Sequence, residues 1–378
     1  MATIALTAEL TARTNSPWWV SLLFIVTFLP AIVVGLVAGP LIDRLSRKRL
    51  IVASDVVRFG VFAALPFVHS PTGLIVLAGI AGLANSVFRP AVLAGVPNLV
   101  DSDDLAHGTS LLQATDWAAA AIGPVLGGLI VSAWGTSTVY WINAATFLFS
   151  AALILRIPAR LLQAEQAITR GHWRDLADGL EPFKHSAALR TALFAFAFAM
   201  FAVGLNNVAE IFLAEHALHR GAFGYGLLWS ATGVGLVIGS LVSGSLLERR
   251  ELKVAYPLAF LPWAIGLLAA GLAPSIWFAA GAMVVSGFGN GLAFPLTVVI
   301  VQRATSDRLR GRVFTVIISA HQAVLGLAMV AAGALTGGIG PRWTYVIAAG
   351  SLAVGSATAF VLLRGVRTQL AVADEQAA

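Results

Sequence analysis

The sequence predicts an all-α polytopic membrane protein: two pseudo-symmetric six-helix bundles, with eleven full spans and a partial first helix. Three observations predict it. The chain is apolar and poor in charge, apolar runs of roughly 20 residues recur along it, and its two halves resemble each other at nearly one offset. Hydrophobic residues make up 58% and charged residues 11%, with a mean hydropathy of +0.86. A soluble domain carries about a quarter charged residues, and this chain has too few to wet its own surface. Its 37 glycines suit helices that approach closely in lipid. It has no cysteine, which excludes disulfides and thiolate metal sites, and no metal site or cofactor is expected.

The spans are expected, in order, at 17–41, 50–70, 72–97, 108–132, 136–157, 189–214, 223–247, 254–273, 275–301, 313–337 and 342–363. The opening "MATIALTAEL" is a twelfth apolar piece, about half the length needed to cross. It lacks the basic stretch and cleavage site of a signal peptide. The expected organisation is an N-terminal bundle over 1–157, a central loop over 158–188, a C-terminal bundle over 189–364 and a tail over 365–378.

Basic residues set the sidedness. Arg44, Arg47, Lys48 and Arg49 fall in one loop. Arg156, Arg160, Arg170, Arg174, Lys184 and Arg190 fall in the next of that side. Arg249, Arg250, Lys253, then Arg303, Arg308, Arg310, Arg312, then Arg364 and Arg367 complete it, a total of 19. The opposite loops hold only the 3 residues Arg13, Arg220 and Arg342. The rich side is therefore expected in the cytoplasm, with the central loop and the C-terminus. The same distribution argues against nucleic acid, whose binding patches are continuous. In the central loop, "HWRDLADGLEPF" spaces Trp173, Leu176, Leu180 and Phe183 as an amphipathic helix lying on the inner surface, with a docking site for a partner as the alternative.

The halves align at a shift of 205. Gly39, Leu41, Asp43 and Arg44 fall on Gly244, Leu246, Glu248 and Arg249, and Asn85 and Pro90 fall on Asn290 and Pro295. At 204, "SDDLAHG" falls on "SDRLRGR". The chain reads as a duplicated six-helix unit.

Ionisable residues at membrane depth are costly and tend to be functional. Asp55 and Arg58 stand three apart on the third helix, near the inner face, and are expected to pair. Glu9, Asp116, Glu210 and His321 are isolated, and each is of a type able to exchange a proton. Glu9 and Glu215 are repeat mates across a one-residue gap, and Asp116 falls on His321. Arg89, ahead of Pro90, suits neutralising a carboxylate or attracting an anionic substrate. Asn206, Asn207, Asn85 and Asn290 offer hydrogen bonds either to a substrate at the midplane or between helices. Gly123, Gly127 and Gly128 remove side chains along the fifth helix and Pro124 lacks an amide hydrogen, which permits close packing and bending. An intramembrane enzyme is disfavoured: the seven histidines are scattered, and neither H-E-x-x-H nor G-x-S-x-G is present.

"GPLIDRLSRKR" resembles the signature after the second helix of the major facilitator superfamily, G-x-x-x-D-R-x-G-R-[KR]. Gly39, Asp43, Arg44, Arg47 and Lys48 match it, and Ser46 stands in place of its second glycine. "GPVLGG", Gly123 to Gly128, is similar to the family's antiporter signature G-P-x-x-G-G. "HWRDLADGLEPFKHSAALR" resembles the central-loop segment of the bacterial exporter branch that includes enterobactin and drug exporters. The resemblance covers essentially the whole chain. It implies a twelve-helix secondary transporter, monomeric among membrane lipids. The implied function is proton-driven antiport of a small amphipathic molecule by alternating access. It further implies that Asp43 contacts the amino end of helix eleven in the outward-open state, with Asp55 and Arg58 in the same charge network. The family's first helix is full length, and this chain is expected to start about midway through it. Alternatives are a lipid or metabolite carrier of the same fold without proton coupling, or a non-transporting membrane sensor.

Overall fold

The structure, a computed structural model, describes residues 1–33, 46–95, 105–158, 180–249 and 251–364. They are almost wholly helical. In chain order the helices are α1 (Ala2–Thr14), α2 (Pro17–Val33), α3 (Arg47–Ala64), α4 (Pro71–Gly95), α5 (Leu105–Trp134) and α6 (Thr136–Arg156). They continue as α7 (Ala187–Phe212), α8 (Gly221–Arg249), α9 (Leu252–Gly271), α10 (Ile276–Arg303), α11 (Asp307–Ile339) and α12 (Pro341–Leu363). Each expected span carries a helix. Nine helical stretches among the described residues are long and apolar enough to cross a membrane, while Pro17–Pro30 and Ala118–Trp134 are shorter apolar helices. Gly39, Asp43 and Arg44 lie outside the described residues, as do Trp173, Leu176 and the tail. Of the expected central-loop helix, Leu180 is exposed and Phe183 buried.

The helix ends follow from local chemistry. Pro17, Pro71 and Pro341 open α2, α4 and α12, where the missing amide hydrogen costs nothing. Ser186 and Ser275 cap α7 and α10, their hydroxyls accepting from the amides of Leu189 and Phe278. At the joints α5–α6 and α11–α12 the chain turns through Gly135 (φ 79°) and Gly340 (φ 86°), in a region a side chain disfavours.

Contacts divide the chain into two compact units, Met1–Thr169 with Gly221–Gly226, and Arg170–Arg220 with Leu227–Ala378. Inside the first, α3 packs on α4 and α6, and α2 on α4. Its core joins Leu10, Phe62, Leu65, Leu74 and Tyr140. Inside the second, α9 packs on α10 and α12, and α7 on α11 and α12. Buried alanines 188, 192, 195, 199 and 202 along α7 let those helices close in.

The two units repeat each other in detail. A Cβ placed on Gly82 would meet the Thr27 carbonyl at 2.9 Å, and one on Gly287 the Thr232 carbonyl at 2.1 Å. Both pairs are related by the shift of 205, as are Gly135 and Gly340. Large apolar side chains such as Phe149, Leu241 and Leu327 are strongly exposed, the arrangement of a surface meant for lipid. Trp18, Trp134, Trp141, Trp277 and Trp343 are also exposed. All five stand at helix ends opposite the basic loops.

Candidate functional site

In the first unit, α3 carries the charged residues. Ser46, extended at φ −60° and ψ 115°, precedes it without a side-chain cap. From the first turn, the Lys48 ammonium donates to the carbonyls of Leu155 (2.8 Å) and Ile157 (2.6 Å). It thereby satisfies the carboxyl end of α6 and places a positive charge at that negative dipole end.

Asp55 and Arg58 stand roughly 12 and 16 Å along the helix from Arg47, well inside the span. Arg58 Nη2 meets Asp55 Oδ1 at 2.6 Å, and both residues are buried. Arg58 Nε donates to the Ser54 carbonyl (3.3 Å) and Nη1 to Asn85 Oδ1 (3.5 Å). The guanidinium lies 4.0 Å from the ring centre of Phe88 and 4.5 Å from that of Phe147, a doubly stacked cation. Arg58 and Asn85 border a cavity of ≈ 230 Å³ whose walls include Phe24, Thr27, Phe28 and Phe147. Among the described residues, the pair's further contacts run inward to α4 and α6. Asp55 Oδ2 has no partner there.

Glu9 is held on both oxygens. It accepts from the Arg13 guanidinium on one and the Tyr140 hydroxyl on the other, and Arg13 also donates to the Val68 carbonyl at 2.9 Å. The cluster ties α1 to α6 and to the turn that follows α3. Tyr140 was not among the expected site residues, although a buried tyrosine hydroxyl usually seeks a partner. Arg89 neutralises a carboxylate, that of Asp116, at 2.9 Å from α4 to α5, and both side chains are open to the surroundings.

The glycines of α5 serve close approach. A Cβ on Gly128 would fall 2.6 Å from the Ala222 carbonyl, and one on Gly226 2.4 Å from that of Pro124. Here α5 and the first turn of α8 touch backbone to backbone. Gly127 abuts Met1 (2.8 Å), and Gly123 has ordinary space at 3.7 Å.

In the second unit, α7 is the helix of interest. Asn206 Nδ2 donates to Glu210 Oε2 at 2.9 Å. Glu210 is buried, and neither its Oε1 nor Asn206 Oδ1 has a partner among the described residues. No cation stands within ion-pair distance of Glu210 among them. The helix widens just beyond into a π-turn, Leu213–Ala217, a feature concentrated at functional sites. His321 on α11 is buried, its Nε2 3.0 Å from the Leu193 carbonyl and its ring centre 5.2 Å from that of Phe196. Asn207 and Asn290 are half-buried.

The profile of the transmembrane secretion effectors, MFS_3, matches residues 1–376. The multidrug efflux pump Tap of Mycobacterium tuberculosis is 26% identical over 350 residues, 88% of this chain and 82% of that one. The enterobactin exporter EntS of Shigella boydii is 27% identical over 387 residues, 97% and 88% of the two chains. Among solved structures, that of the nucleoside transporter NupG (D323A mutant) superposes with a TM-score of 0.74 at 15% identity, covering 96% of each chain, which speaks to the fold. Helical architecture, apolar spans and these likenesses agree: the chain belongs to the transmembrane secretion effectors of the major facilitator superfamily, and it is a multi-span membrane transporter with efflux relatives.

Proposed function

We propose that the protein exports small amphipathic molecules across a bacterial plasma membrane by alternating access between its two bundles, in exchange for protons. The observation that carries this reading is Glu210, a buried carboxyl matched, among the described residues, by an amide and not by a cation. It can exchange a proton without breaking an ion pair, and the π-turn beside it gives α7 a place to change its winding. Asp116 is a weaker candidate for proton carrier because Arg89 already balances its charge. That pair is better suited to meeting a charged substrate. Glu9, closed in by Arg13 and Tyr140, reads as a structural tie.

Close backbone contact at Gly128 and Gly226, both inside the first unit, supports close helix packing at the α5 signature, whose sliding role is part of the proposal. The loop signature at Gly39, Asp43, Arg44, Arg47 and Lys48, reaching Asp55 and Arg58, would stabilise one of the two access states. Lys48 does so through the end of α6. The exposed tryptophans at the basic-poor helix ends suit a membrane interface, where tryptophan gathers on either side, and the sidedness rests on the loop charges alone. The bundles are read as 1–157 and 189–364 in a monomer among lipids, with the C-terminus cytoplasmic.

The test is transport into proteoliposomes of ethidium, Hoechst 33342 and an iron-free catecholate siderophore, with and without an imposed pH gradient. Gradient-dependent movement of at least one supports the proposal. Movement indifferent to the gradient would favour an uncoupled lipid or metabolite carrier.

A further inference from the structure

An open groove of ≈ 680 Å³ lies where the first turns of α3 meet the end of α6. Ser46, Lys48 and Arg49 form its upper rim, and Val52, Ala53, Val56 and Leu155 its wall. Val56 and Leu155 are more than half exposed, on helices that cross or border the bilayer, so lipid is what this face meets. The rim is cationic. Lys48 spends two of its three N–H donors on the carbonyls of Leu155 and Ile157, leaving one for an outside acceptor. Arg49 is exposed and has no ion pair among the described residues. The Ser46 hydroxyl does not cap the first turn of α3.

A cationic rim above an apolar wall is complementary to a phosphate with an acyl chain beneath it. We infer that this groove seats the headgroup and upper chain of one anionic phospholipid. The phosphate lies between Lys48 and Arg49, and the chain runs down Val52, Val56 and Leu155. Because Lys48 also holds the end of α6, the lipid fastens α3 to α6 from the membrane side. The assignment stands whether or not transport is proton-coupled.

The experiment is native mass spectrometry of the full chain, titrated with phosphatidylglycerol or phosphatidylcholine of equal chain length. Arg49→Gln and Ala53→Phe are made separately, leaving the Lys48 cap intact. One phosphatidylglycerol should be retained in preference to phosphatidylcholine. Arg49→Gln should weaken that retention about fivefold, the worth of one cation at a charged lipid surface. Ala53→Phe should remove the preference by filling the groove, and excess glycerol phosphate should not displace the lipid. Equal retention of the two lipids would overturn the inference. So would a preference that survives both substitutions, or displacement by glycerol phosphate, which would mark a simple phosphate site.

Discussion

Asn206 donates its side-chain amide to Glu210 one turn further along α7, at 2.9 Å. The four-residue spacing puts both on one helical face. The first unit holds its buried acid differently, since Asp55 meets the Arg58 guanidinium at 2.6 Å. Asp55 has its charge matched by a guanidinium stacked between two phenyl rings, whereas Glu210 has an amide on one oxygen and nothing described on the other. Uncompensated charge inside a membrane is costly, so a carboxyl kept in that setting suits a role in which its proton comes and goes.

Arg89 and Asp116 form an ion pair that is open to the surroundings, so it adds little to stability, about 0–1 kcal/mol. Asp116→Asn should leave the unfolding midpoint nearly unchanged and lower transport. The double exchange Arg89→Asp with Asp116→Arg should restore some of the activity. Thermal unfolding and vesicle transport, measured on the same preparations, separate the two effects. Full activity in Asp116→Asn would remove the pair from the substrate path.

Gly287 faces the Thr232 carbonyl, where a Cβ would stand at 2.1 Å, and its counterpart Gly82 faces Thr27 at 2.9 Å. Gly287→Ala must push its helix away from the neighbouring one and should cost about 2 kcal/mol or more. Gly82→Ala should cost less, because smaller shifts relieve it. Unfolding midpoints in detergent check the order, and equal losses would count against it.

Tyr140→Phe removes one of the two donors held by Glu9. A hydrogen bond to a charged group is worth about 2 kcal/mol. The variant should unfold earlier yet keep its dependence on the pH gradient, because Glu9 is read as a tie between helices. Loss of gradient dependence at unchanged stability would give Glu9 a coupling role instead.

The chain has no native cysteine, so sidedness can be read from single additions. Lys184→Cys should react with an impermeant maleimide only in inside-out vesicles, and Arg220→Cys only in intact cells. The reverse pattern would invert the topology.

Much of this architecture is legible in the sequence because apolar run length and loop charge are local quantities. The helix over 187–212 and the turns at Gly135 and Gly340 need only near neighbours to be recognised. The Asp55–Arg58 pair is equally readable, since three-residue spacing fixes it on one face. The links Lys48 to Leu155, Glu9 to Tyr140 and Arg89 to Asp116 are harder. Each depends on how two helices rotate about their axes, and a nearly uniform apolar surface does not specify rotation. Arg342 shows the same limit: it is an exception in a charge count, while in the fold it donates to the carbonyls of Gly271 and Ala273 at the end of α9. Glu210 can be singled out as a lone acid, but its amide partner and the π-turn beyond it come from the fold.

The most direct test compares wild-type protein with Glu210→Gln in two assays on the same proteoliposomes, using a compound the wild type moves. One assay is accumulation driven by a pH gradient, and the other is exchange of labelled for unlabelled compound at equal pH. Glu210→Gln should abolish gradient-driven accumulation while exchange persists, because the substituted side chain keeps its shape and loses the titratable proton. Gradient-driven accumulation at the wild-type level in Glu210→Gln would contradict it.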